Sequence, residues 1–322
     1  MSFDAIRPRT PPKNKSKEMI FKEIETDQEW SEAIALRNLH NWSNPVSVAE
    51  VRSRHQISSS QKVDVRFIGH VNSKSVLYGS AVFNSSANDG TYWFGLSYDP
   101  SEPNARQTFQ QGIEEAVRTI QSHGGTKAMI ESRGEVTWEK TILKELGFSF
   151  DMRLPITCLE ISTTSFELNP SVVSCAQFLA ENPEDGMHRL WRLEMEVAND
   201  LPLPYPFVET PFEAFATDTS DPEVDLNSQF LYVEDGDING MSQLWPSKVN
   251  PKSAQTGLTG VRRAYRRQGI ATKTKQHSIA WAKAQGIEKI YTDNEENNPM
   301  YQLNLQLGFH HLFDFEVYSK SC

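Results

Sequence analysis

The sequence predicts a mixed α/β fold built from two similar units in tandem, and three observations carry that expectation. At 322 residues the chain exceeds what one ordinary hydrophobic core sustains and suits two domains of about 150 residues. Leu146-Gly147-Phe148 recurs as Leu307-Gly308-Phe309, and Gly125 before an apolar run recurs as Gly286, both at an offset of 161 residues (308 − 147 and 286 − 125). Within each half, β-type runs alternate with segments of helical periodicity.

Taken in order, the first unit opens with a strand over residues 19–25 and a helix over 30–39. Residues 91–96, Thr-Tyr-Trp-Phe-Gly-Leu, read as a strand because β-branched and aromatic residues suit a pleated surface. A helix over 109–122, a glycine stop, a strand over 127–131, another helix and Leu-Gly-Phe follow. The second unit repeats this order: a strand over 172–179, a helix over 189–199, a β run over 256–261, a helix over 270–285, a strand over 288–292 and a helix from Pro299. Proline is well placed in a first helical turn. The Pro- and Ser-containing stretch 162–174 fits the crossing between units. The expected division is therefore a tail over residues 1–17, a first domain over 18–165 and a second over 166–322.

Composition excludes several functional classes. Lys plus Arg number 32 against 42 Asp plus Glu, a formal charge of −10, which opposes whole-molecule attraction to nucleic acid or anionic membrane. Cys158, Cys175 and Cys322 show neither CxxC nor Cys/His spacing, so no disulfide framework or zinc site is expected and a reducing cytoplasm is the plain reading. The N-terminal segment lacks the apolar stretch of a signal peptide, and no run long enough to span a membrane occurs. His310 and His311 are adjacent, so on a strand they point to opposite faces, and no third ligand is spaced nearby; no metal site is expected. Trp191, Trp245 and Trp281 read as core aromatics.

One segment runs against the acidic balance. Between Lys252 and Ile287 there are eight cationic residues and no acidic one. A solvated helix face could carry such a run, so charge alone assigns no ligand. The backbone pattern adds to it: Gly269 and the small Ala271 stand where an extended run ending at Val261 turns into an amphipathic helix. A helix N-terminus presents unpaired N–H groups and a positive dipole end, and Gly permits close approach. Amides at such a helix start can wrap a pyrophosphate, with Arg266 and Arg267 adding charge from the rim. Neither GxxxxGK[ST] nor GxGxxG is present, which disfavours nucleotide hydrolysis and a dinucleotide site.

Arg266-x-x-Gly269-x-Ala271 resembles the [Q/R]xxGx[G/A] motif of GCN5-related N-acetyltransferases. Asn297-Asn-Pro-Met300 and Leu303-Asn304-x-x-Leu307-Gly308-Phe309 resemble that family's second segment, and the stretch 256–309 looks like the C-terminal repeat of its two-domain members, the class that includes mycothiol synthase-like proteins. The resemblance implies two tandem domains, each a mixed, mainly antiparallel sheet flanked by helices. It implies acetyl-CoA as cosubstrate, with backbone of Thr259, Gly260 and Val261 holding the pantetheine arm like an added strand, amides of Gln268, Gly269, Ile270, Ala271 and Thr272 binding the pyrophosphate, and Asn297 touching the cofactor. At the offset of 161, Gly269 and Ala271 correspond to Thr108 and Gln110, so the first unit reads as a degenerate copy without cofactor.

The implied reaction is attack by a neutral amine on the thioester, which needs a base, an oxyanion donor and an acid for the thiolate. The family's Tyr acid is replaced by Asn304, which cannot donate a proton as an acid. Tyr301, one turn earlier, could reach the site or be a buried structural residue. Asp293 is a base candidate by position and equally a helix-capping or turn acid. Glu209 and Glu213, after the loop 200–207 with Tyr205 and Phe207, could face the acceptor. The expected partner is a small-molecule amine, without nucleic acid or membrane, and an exposed sheet edge would support a homodimer. The alternative is a non-catalytic coenzyme A-binding sensor.

Overall fold

The computed structural model describes residues 19–61, 63–85, 87, 89–161 and 165–322; the expected tail over 1–17 lies outside them. The first half comprises β1 (Ile20–Glu23), α1 (Asp27–His40), α2 (Val48–Gln61), β2 (Asp64–Val71), β3 (Lys74–Phe83), β4 (Thr91–Tyr98), α3 (Ala105–Ser122), β5 (Lys127–Arg133), α4 (Thr137–Glu145) and β6 (Ser149–Glu160). The second comprises β7 (Val172–Ser174), α5 (Cys175–Glu181), α6 (Gly186–Ala198), α7 (Phe212–Thr219), β8 (Phe230–Glu234), β9 (Asp237–Pro246), β10 (Ser253–Val261), α8 (Ile270–Ala284), β11 (Lys289–Asp293), α9 (Pro299–Gln306) and β12 (His310–Ser321).

All strands join one 12-stranded mixed sheet in the order β1-β2-β3-β4-β5-β12-β6-β11-β10-β9-β8-β7. Pairing is antiparallel except between β4 and β5 and between β10 and β11. The last strands of the halves are exchanged: β12 lies on β5 with Glu131 opposite Val317, and β6 lies on β11 with Asp293 opposite Ile156. β6 and β12 also pair with each other from His310↔Cys158 to Ser319↔Ser149. The halves therefore share a continuous ladder at the centre. One core lies under α3 and α4 and takes in Tyr318 of β12, another lies under α8 and α9 and takes in Leu159 of β6, and a third is formed by α5, α6 and α7 against β8 and β9.

Two expectations need correction. Residues 172–179 are not one strand: the Ser174 side chain accepts from the Gln177 amide and starts α5, so a helix begins where the apolar run still reads as β. The offset is 162, not 161, across the strands and the helix between them, because Thr91 pairs with Lys127 as Ser253 pairs with Lys289. The counterpart of Gly286 (φ 77°) is thus Gly124 (φ 74°), each the left-handed residue that ends a helix. α4 is one residue longer than α9, which restores 161 at Leu-Gly-Phe.

Candidate functional site

The site is built where β10 leaves its neighbours. Thr256 faces Leu244 but Thr259 faces Ser242, so β10 carries one extra residue there, a bulge. Parallel pairing with β11 ends at Gln255↔Tyr291 although β10 continues to Val261 and β11 to Asp293, and the strands part. The edge of β10 beyond Gln255 thereby opens toward the gap, with Thr259, Gly260 and Val261 along it. Thr259 shares a 3.2 Å hydroxyl contact with Ser242, and Val261 is buried. At Gly260 a Cβ would lie 2.1 Å from Val197, so only glycine lets α6 pack this close to β10. Trp245 corrects the core reading: it is 38% exposed and lies over Gly257 in the bulge.

After β10 the chain turns through Arg267 (φ 65°) and Gly269 (φ 74°) into α8. Gly269 has no side chain to cap the helix, and among the described residues none from elsewhere caps it, so the first amides of α8 are open to a ligand. A Cβ at Gly269 would meet nothing within 4 Å, which leaves space for an anion against those amides. Arg267 and Gln268 are exposed around it; Ile270 buries its side chain while Ala271 and Thr272 are half-buried. Arg266, expected to add charge at the rim, is engaged with the protein itself. Its Nε donates to the Val261 carbonyl at 3.0 Å and its NH2 to Asp200, which also holds Arg263, so it braces the turn.

On α9, Asn298 is the capping residue, accepting from the Met300 amide at 3.0 Å, with Pro299 next. Asn297 precedes the cap, is exposed and donates to Glu295 at 2.8 Å. Tyr301 is half-buried. Asn304 is fully buried: its Nδ2 donates to Asn294 Oδ1 at 2.6 Å, while its Oδ1 has no partner. An orphaned amide oxygen beside the gap fits a donor arriving with a ligand.

On the other face of the sheet, α6 presents Glu194 toward the bulge. Glu194 Oε2 accepts from Gln243 Nε2 at 2.9 Å, and Gln243 Oε1 accepts from the Leu258 amide at 3.0 Å. Burial pushes the Glu194 carboxyl up to about 7. Sequence reasoning missed this residue; the available signal was an acid one position from Leu193 on the stripe Leu190, Leu193, Val197 of α6. Glu209 and Glu213 are exposed, and Glu209 lines a recess of about 370 Å³ with Arg192 and Glu196 on the outer side of α6.

The halves meet over the exchanged strands. The α1–α2 connection of the first half reaches across: Trp42 packs against Tyr291 (6.3 Å) and Phe313 (6.1 Å), and Gln255 Nε2 donates to the Ser43 carbonyl. Reciprocally, Lys127 Nζ donates to the Pro204 carbonyl of the loop after α6. Asp293 and its first-half counterpart Glu131 project into the cleft between them. Both carboxylates reach water, yet enclosure by the cleft walls raises both; Glu131 rises to about 7, by burial first and the Asp293 charge second. His311 is bound to Asp314 at 2.7 Å, and among the described residues no group of three His, Cys, Asp or Glu could hold a metal ion. Among them, too, no helix is long and apolar enough to cross a membrane.

The first half lacks the cradle for a reason other than bulk. α3 starts a turn earlier than α8, so the positions matching Gly269 and Ala271 at the structural offset are Gln107 and Phe109, not Thr108 and Gln110. They are already helical, and the Thr108 amide is committed to Asn104 at 2.9 Å. β4 pairs with β3 without any register shift, so the bulge is missing as well.

Residues 187–309 match the model of the acetyltransferase (GNAT) family. No curated protein matches the sequence. A GCN5-related N-acetyltransferase from Sphaerobacter thermophilus superposes with a TM-score of 0.71 at 14% identity, covering 94% of this chain and 95% of its own. A tandem GNAT protein from the clavulanic acid biosynthesis pathway gives the same TM-score and identity over 94% and 98%. A glucosamine N-acetyltransferase region of a fungal β-N-acetylglucosaminidase gives 0.65 at 13%, covering 98% of this chain and 39% of that one. Residues 187–309 are thus similar to the acetyltransferase (GNAT) family, and the chain shares the fold of tandem GNAT proteins, with the final strands of its halves exchanged.

Proposed function

We propose that the second half binds acetyl-CoA and transfers its acetyl group to a primary amine of a small molecule. The observation that carries this reading is the bulge of β10, present in the second half and not the first, beside a helix α8 that opens on left-handed Gly269. Amides of Gln268 to Thr272 would hold the pyrophosphate, with Arg267 free to add charge, and the β10 edge at Thr259 to Val261 would take the pantetheine arm. Acetyl-CoA supplies an activated acetyl group as its thioester. Glu194, poised near neutrality beside the bulge, takes the proton of the incoming ammonium. Asp293 and Glu131, with exposed Trp42 between the halves, suit a cationic amine, and the Ser43 contact narrows the cleft toward small acceptors. β1 and β7 are the sheet's ends, where a second copy could pair.

Calorimetry with acetyl-CoA and thiol release across a panel of amines test the reading. Binding that Gly269→Glu weakens at least a hundredfold, and amine-dependent thiol release above hydrolysis, are the expected results; binding untouched by Gly269→Glu would refute the cradle. A non-catalytic coenzyme A sensor is favoured by one observation, that buried Asn304 stands where the family's acid would be. Turnover with any amine would exclude it.

A further inference from the structure

The space beneath the parted strands differs between the halves at four matched positions. In the first half Phe94, Ile113, Ile130 and Leu143 all belong to the apolar core. Their counterparts, at 162 on the strands and long helix and 161 at the end of the short helix, are Thr256, Lys275, Thr292 and Asn304. Thr292, Lys275 and Asn304 are buried, at 3%, 3% and 0% exposure. Thr256 Oγ1 donates to Thr292 Oγ1, closing that pair. Asn304 Oδ1 is left over, as described. Lys275 is the larger anomaly: among the described residues its ammonium has no hydrogen-bond or ion-pair partner, and it lies over the Phe309 ring, 5.8 Å from the centroid. Phe309 in turn donates its amide to the Asn304 carbonyl at 3.0 Å, so cation and orphaned amide border one patch.

A buried, unpaired cation is costly, and the first half shows that the same fold accepts isoleucine there. A group that is anionic for part of a reaction cycle would explain its retention. Resting on the reading that this half binds acetyl-CoA, we infer that Lys275 on α8 is the proton donor to the departing thiolate, standing in for the acid that Asn304 cannot be. The amine nitrogen bonds to the carbonyl carbon, the C–S bond breaks with its electron pair on sulfur, and Nζ gives one proton to that sulfur. Neutral Lys275 is then reprotonated with the proton the amine has shed. Burial is the sole cause acting on Lys275, with no acid or base contributing, and lowers it to about 8, close to the ordinary range of a thiol. Donor and acceptor are matched, the condition under which proton transfer is efficient.

The test is an ultraviolet titration of the thiol of bound coenzyme A in the intact chain, with turnover measured in parallel. In the wild type the bound thiol should ionise at least about one pH unit lower than in Lys275→Met, a tenfold difference in its equilibrium. Lys275→Arg, which keeps the charge but not a donor of suitable strength, should restore the lowered thiol and leave kcat reduced about a hundredfold, with KM for acetyl-CoA little changed. Equal thiol titrations in wild type and Lys275→Met, with coenzyme A bound to both, would overturn this assignment and leave the proposed function standing. Failure of the wild type to bind coenzyme A would overturn both.

Discussion

The two halves share element order and strand pairing but put them to different ends, and the differences lie at a few positions. Around the parting strands the first half is an ordinary protein interior: an unbroken β3–β4 ladder, a helix already under way at the positions matching Gly269 and Ala271, and four apolar residues beneath. The second half departs from this with a bulge, a helix that starts only after left-handed Gly269, and a polar group in which Lys275, Asn304 and Thr292 are buried and Thr256 half-buried. Local violations of folding rules mark sites of function, and here an internal copy shows what the fold does without them.

The comparison predicts that the halves differ in function yet are inseparable in folding. Severing the chain near residue 165 removes β6 from β11 and leaves β12 without β5 or β6. The largest effect expected is therefore on 166–322 expressed alone, which should lack cooperative unfolding by circular dichroism; a sharp transition in a monomer would show the exchange to be dispensable. Next, Gly269→Glu should cost cofactor binding at least a hundredfold, since a carboxylate would enter the open space before α8, whereas Gln107→Glu in the first half should leave the isotherm unchanged.

The element order and the glycine-marked start of α8 were legible because they rest on local chemistry. Leu-Gly-Phe requires a left-handed glycine at Gly147 and Gly308, and Gly269 opens a helix by the same backbone logic. Strand exchange is illegible, because β6 and β12 present the same alternation whichever half supplies their neighbour. Glu194 and Lys275 were hidden by their setting: one polar residue on a helix's inner stripe reads as a side chain snorkelling to solvent, and only packing shows that it cannot. The pairing of Arg266 with Asp200, just beyond the end of α6, is likewise not visible in sequence.

Smaller effects sharpen the chemistry. Glu194→Gln should lower kcat/KM for the amine about a hundredfold, as loss of a general base does. Because a base acts only when deprotonated, wild-type activity should fall as pH drops through about 7, and the variant should lose that limb of the profile; an unchanged limb would point to Asp293 instead. Lys275→Met should stabilise the fold. A lysine lowered from 10.5 to about 8 costs the folded state up to about 3 kcal/mol at 1.36 kcal/mol per unit, fully present below pH 8 and relieved as pH rises toward 10.5. Thermal unfolding at pH 7 and pH 10 should show the variant's advantage at the lower pH only; no advantage at pH 7 would mean that Lys275 is satisfied in solution.

The most direct test of the contrast between the halves is the stoichiometry of acetyl-CoA binding to the intact chain by calorimetry. One site per chain, lost in Gly269→Glu and retained in Gln107→Glu, is the predicted result. Two sites, or one that survives Gly269→Glu, would contradict the assignment of the cofactor to the second half.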